Sequence, residues 1–198
     1  MRRRVTGPFR RTRSGVRVHL DPAERALLGR LLDDVEGLLA QDAAERQGGA
    51  PKGAGNGRRS DDDVLAALEA SLVPPPPADP AVARLLPEGH RDDPELAAGY
   101  RRLTEDGLRE RKRAALGTAS AALARPDPVV LADDEALSLL KGLTDVRLVL
   151  AERLGLRTDE DAERLHLLAG GAADPRAAAA ALYDALTWWQ ESLVGALR

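Results

Sequence analysis

Seven arginines, Arg2, Arg3, Arg4, Arg10, Arg11, Arg13 and Arg17, fall within the first twenty residues, and no acid accompanies them. A guanidinium is always charged and presents a fork of donors that matches phosphate oxygens. The rest of the chain carries 22 basic and 32 acidic side chains, so the net charge of -3 is a +7 arm on a -10 body. A basic arm on an acidic body is a pattern for contacting a polyanion, with DNA or the transcription machinery as the expected partner. The plain alternative is an arm that lies on its own acidic body.

Other reactive constellations are weaker. Asp61, Asp62 and Asp63 are consecutive, whereas calcium loops alternate their oxygen ligands around a glycine turn, so helix capping explains them better. His19, His90 and His166 lack a paired metal-ligand spacing. The run Gly53-Ala54-Gly55-Asn56-Gly57-Arg58 follows no strand and opens no helix, as a phosphate cradle would require. The chain has no Cys and no serine in a G-x-S-x-G turn, which removes thiolate chemistry and gives serine chemistry no support. No catalytic, cofactor or metal residue is therefore assigned, and a non-enzymatic protein is expected.

Two further features concern binding. Arg101, Arg102, Arg109, Arg111, Lys112 and Arg113 stand among Glu105, Asp106 and Glu110, a mixture that usually forms i,i+4 pairs on a solvated helix face. Trp188 and Trp189 point about 100° apart on a helix, which puts one in a core and leaves the other as an interface anchor. Ala151 to Leu156 has the small-residue and glycine spacing of a helix-turn-helix turn. The helix that would enter the groove, however, begins with Asp159, Glu160, Asp161 and Glu163, which repel phosphate.

The elements that position these residues follow from composition. Ala and Leu supply 68 residues, Val 12 and Ile none, so helix formers dominate. Absence of Cys rules out disulfide stapling, and no apolar run approaches the length of a membrane span, so a cytoplasmic protein without membrane contact is expected. Arg2-Arg3-Arg4 precedes no apolar stretch of the kind an export signal needs. Asp-Pro occurs at 21–22, 79–80, 93–94, 127–128 and 174–175. In four of the five the Asp caps the first turn of a helix and the Pro has φ preset and no N–H to orphan, whereas Asp127-Pro128 leads into a candidate short strand.

These signals predict helices over 22–40, 61–72, 80–86, 94–124, 133–155, 158–170 and 175–197. The stripes are Leu27, Leu28, Leu31, Leu32, Val35, Leu38 and Leu39; then Leu96, Tyr100, Leu103, Leu116 and Leu123; then Leu137, Leu140, Val146, Leu150 and Leu154; and finally Leu182, Leu186, Trp189 and Leu193. Val16 to Leu20 alternates as a strand, and Ser14-Gly15 as the turn pairs Phe9 with Leu20 in a hairpin. Val129 to Leu131 reads as one further short strand. The expected fold is mainly α, a multi-helix bundle with a short N-terminal β-hairpin. Residues 1–20 form the Arg-rich arm, and 21–198 form a single helical domain interrupted by a flexible, glycine-rich linker at 41–60.

Several collinear segments carry a resemblance. They are Phe9-Arg10-Arg11, the leucine-rich first helix, Ala81 to Pro87 (AVARLLP), Asp92 to Thr104 (DDPELAAGYRRLT), Leu143 to Leu156 (LTDVRLVLAERLGL) and Tyr183 to Leu193 (YDALTWWQESL). Together they resemble an actinobacterial family described as a domain of unknown function, whose members are often labelled oxidative stress regulator AosR. The resemblance implies a cytoplasmic, helical, non-enzymatic protein with a role in transcriptional control. It also implies cysteine sensing in some members, which a chain without Cys does not share. The alternative is a protein–protein interaction adaptor, linked to protein turnover, that uses the Trp188-Trp189 helix and does not bind nucleic acid.

Overall fold

Asp21 opens the first helix as its chemistry requires. Its carboxylate accepts from the N–H groups of Ala23 and Glu24, each at 2.8 Å, while Glu24 accepts from the Asp21 N–H at 2.9 Å, a reciprocal cap. Asp79 and Asp93 cap two further helices without a reciprocal bond, accepting from the Ala81 N–H and from the Glu95 and Leu96 N–H groups, each with Pro at the first position. The computed structural model describes residues 7–48, 76–87, 89, 92–158, 160–161, 164 and 175–198. Along these run β1 (Phe9–Thr12), β2 (Gly15–Val18), α1 (Pro22–Gly48), α2 (Pro80–Leu85), α3 (Pro94–Leu123), β3 (Val130–Leu131), α4 (Asp133–Arg153) and α5 (Pro175–Leu197). The fold is mainly α, with the hairpin and further strand expected from the sequence forming one antiparallel sheet in the order β1-β2-β3.

Helix α3 packs against α1 and α4, and α4 packs in turn against α2 and α5, while α5 covers β1. Leu28, Leu32 and Leu39 of α1 meet Leu116 and Leu123 of α3, Leu139 and Leu143 of α4, and Leu186, Trp189 and Leu193 of α5 in one core. Phe9, Val16 and Leu131 extend that core into the sheet. Arg125 ties the turn between α3 and α4, donating to both carboxylate oxygens of Glu135 at 3.0 and 2.9 Å and to the carbonyls of Ala122 and Val130, each at 3.1 Å.

Four sequence expectations need correction. The first concerns the linker predicted at 41–60, whose opening residues are helical, because α1 continues to Gly48. Its last turns lack an apolar stripe but carry charges that α3 satisfies: Arg46 pairs with Glu105 at 2.8 Å and Asp42 with Arg109 at 2.6 Å. Residues 49–60, the helix predicted over 61–72 and most of the one over 158–170 lie outside the described residues.

The second is the stripe Leu96, Tyr100 and Leu103, which is not core: these side chains are 56, 48 and 79 % exposed. α3 runs antiparallel to α1, as the pairs Arg113–Glu36 and Arg109–Asp42 show, and to α4, as Arg125–Glu135 and Lys112–Asp145 show, and its first turns extend past the ends of both. The third correction falls on α4, where Ala136, Leu139, Leu143 and Val146 form the buried face and Leu137 is exposed.

The fourth concerns the hairpin, whose register is shifted from the expected one. Phe9 pairs with Val18 and Thr12 with Gly15, leaving Arg13-Ser14 as the turn. Gly15 is needed inside the strand instead, because it has φ +133° and a Cβ there would lie 2.1 Å from the Leu131 carbonyl oxygen. Close approach of β3 decides the register.

Candidate polyanion-contact surface

The sheet has one dry face and one wet face. Phe9, Val16 and Val18 point inward and are buried, as period-two alternation requires. The hairpin is fastened at its open end. The Phe9 N–H donates to the buried Ser192 Oγ of α5 at 3.1 Å, and the His19 N–H donates to the Pro8 carbonyl at 2.7 Å. On the other side, the Val18 N–H donates to the Val129 carbonyl at 3.0 Å. The outward side chains are thus carried on a fixed ribbon.

Arg10 and Arg17 are direct cross-strand partners in this register, and both are exposed. Arg13 is exposed at the turn beside them. None of the three makes an ion pair or side-chain hydrogen bond among the described residues. Like charges directly opposite on paired strands repel. Arg11 behaves differently: it makes a two-pronged contact with Asp133 at the start of α4, its second prong at 3.1 Å. The hydrogen bond from Arg11 holds the Asp133 carboxyl below its ordinary range, and Asp133 in turn raises the guanidinium. Of the seven arm arginines, Arg10, Arg13 and Arg17 are therefore together and uncommitted, Arg11 is committed, and Arg2, Arg3 and Arg4 lie outside the described residues.

The basic run of α3 is not one solvated face. Arg109 is buried between Asp42 and Glu105, at 2.6 and 2.8 Å. Arg113 pairs with Glu36 at 2.7 Å, and Lys112 with Asp145 at 2.6 Å. Most of these partners lie on other helices, which local i,i+4 reasoning could not find. Arg111 and, on α4, Lys141 are exposed and without an ion pair among the described residues. Lys141 was not identified from the sequence, where it stands alone in its segment.

Trp189 is 2 % exposed and Trp188 42 % exposed on α5. His19 is exposed, while Asp61 to Asp63, His90 and His166 lie outside the described residues. Gly155 follows α4 with φ +70°, and no described residue lies within 4 Å of a Cβ built there. Its left-handed conformation serves the chain reversal. Asp161 accepts from the N–H groups of Arg157 and Thr158, each at 3.0 Å, bonds that hold its carboxyl below the ordinary range. A capping carboxylate here keeps negative charge where groove insertion would need positive. Among the described residues, no group of three His, Asp or Glu side chains could hold a metal ion. No described helix is long and apolar enough to cross a membrane.

A family model described as a domain of unknown function, DUF2017, matches residues 5–197. No curated protein matches the chain. No solved structure matches it either.

Proposed function

The chain belongs to the DUF2017 family of domains of unknown function, and from that premise we propose a non-enzymatic cytoplasmic regulatory protein that contacts DNA through its hairpin. It acts in transcriptional control, in the manner the oxidative-stress-regulator label suggests, but without cysteine redox chemistry. The observation that carries this reading is the Arg10–Arg17 cross-strand pair. Two cations held opposite each other without a counter-charge suit a ligand that supplies two phosphates. Arg13 at the turn, and Arg2 to Arg4 ahead of the strand, extend the same contact.

The test is fluorescence anisotropy with a random-sequence duplex of about 20 base pairs across a salt series. Each neutralised phosphate adds about 0.9 to the slope of log affinity against log salt. The Arg10→Gln/Arg17→Gln variant should therefore bind more weakly, with a slope shallower by about 1.8. Equal affinity and slope in the two proteins would overturn the reading.

One observation favours a second reading, a protein–protein adaptor: Trp188 is exposed beside a buried Trp189. On that reading, a Trp188→Ser variant loses a protein partner that wild type retains on affinity purification, and neither protein binds the duplex.

A further inference from the structure

We propose that the groove between α3 and α4 lined by Arg111, Lys112 and Lys141 binds a compact phosphate monoester. The chain has three lysines against 26 arginines, and two of the three meet in this groove. The groove has a volume of about 200 Å³, with Leu108, Ala115 and Asp145 completing its walls.

Charge in the groove is unbalanced. Lys112 Nζ donates to Asp145 Oδ1 at 2.6 Å, and the Asp145 side chain is only 4 % exposed. That pair neutralises itself and leaves Lys112 two further donors. Arg111 and Lys141 have no acidic partner among the described residues, so the groove carries an excess of two positive charges. A phosphate monoester near neutral pH carries about -1.5 to -2, which matches that excess in one group. A nucleic-acid backbone supplies one charge per phosphate, spread along a strand. Leu108 and Ala115 offer apolar wall to a short carbon skeleton, and the small volume limits the ligand to a few heavy atoms beyond the phosphate. The site is independent of the hairpin and of the reading placed on it.

The scarcity of lysine makes the test direct. Incorporation of ¹³C-labelled lysine leaves every ammonium charged with all three donors and gives one Cε–Hε signal set for each of Lys52, Lys112 and Lys141, assigned with Lys52→Arg and Lys141→Arg. The protein is titrated with glycerol phosphate at constant ionic strength. The Lys112 and Lys141 signals should move along one saturable curve while Lys52 stays still. An Arg111→Gln or Lys141→Gln variant should weaken the Lys112 response at least tenfold. The Arg10→Gln/Arg17→Gln variant should leave the titration unchanged, even if it abolishes binding of duplex DNA. Equal, linear movement of all three lysines would mean ionic screening and would overturn the proposal, as would no movement. A response to a 12-base-pair duplex but not to glycerol phosphate would overturn it too, and would assign the groove to a nucleic-acid backbone.

Discussion

Arg109 Nη2 lies 2.6 Å from Asp42 Oδ2, joining α3 to the end of α1 with both side chains at most 10 % exposed. The same nitrogen meets Glu105 at 2.8 Å, and Arg46 closes the group from the other side. Two cations and two anions thus share one buried patch between helices.

Removing one member of such a group strands the others. Arg109→Met leaves Asp42 and Glu105 with less compensation, and breaking a buried pair costs about 3–5 kcal/mol. The urea unfolding midpoint of this variant should fall well below that of wild type. A double replacement, Arg109→Met with Glu105→Leu, should recover part of the loss, because fewer charges are left unmatched.

Gly142 and Gly117 should respond oppositely to the same methyl group. A Cβ at Gly142 would lie 2.6 Å from Leu32 Cδ2, in the core, while no described residue lies within 4 Å of one at Gly117. Gly142→Ala should destabilise by about 1–3 kcal/mol through overpacking. Gly117→Ala should stabilise by about 0.5–1 kcal/mol, since it only improves helix propensity. Chemical denaturation of both variants reads the difference in sign.

Two carboxylates should give opposite pH signatures. Burial pushes the Asp145 carboxyl above its ordinary 3.8, and Lys112 offsets this only in part. The native state then holds its proton more tightly than the unfolded state, so this group's contribution is full below about 3.8 and is lost as pH rises through the folded value. For Glu135, burial also pushes upward, but the Ala132 N–H and Arg125 outweigh it, so the net shift is below 4.5. Its contribution is present above the unfolded value and is lost as pH falls through the folded one. Subtracting the stability of Asp145→Asn from wild type across pH 3–6 should give a difference that declines with pH. The Glu135→Gln difference should climb.

The Arg10–Arg17 repulsion should be visible without any ligand. Replacing Arg17 by Thr removes one of two like charges facing each other and should stabilise the protein by about 0.2–1 kcal/mol at low salt. The gain should shrink toward zero near 1 M salt, where the Debye length is about 3 Å. Thermal unfolding at two salt concentrations measures it. A gain in stability from the same side of the hairpin that loses DNA affinity would mean that the arginine pair is kept at a cost to the fold.

The elements themselves were legible where a local rule sufficed. Asp21, Asp79 and Asp93 announced helix starts because capping uses atoms only two or three residues away. The leucine stripe from Leu27 to Leu39 announced an inward face because the helical repeat alone brings its members together, though only packing singled out Leu28, Leu32, Val35 and Leu39 as its buried centre. The stripe rule failed at Leu96, Tyr100 and Leu103, since burial needs a neighbour and α3 outruns the helices beside it. The hairpin register failed for a related reason, because Gly15 answers to β3, more than a hundred residues further along the chain.

The candidate surface divided along the same line. Seven arginines without an acid are a property of the sequence, and so is the absence of any thiol. Which arginines are uncommitted is not, because Arg11 finds Asp133 and Arg109 finds Asp42 only once the helices pack. The meeting of Lys112 with Lys141 likewise depends on the antiparallel pairing of α3 and α4. Local chemistry depends on neighbours in the chain, and the sequence determines it alone. Electrostatic partners depend on distance in space, and only the tertiary structure sets that.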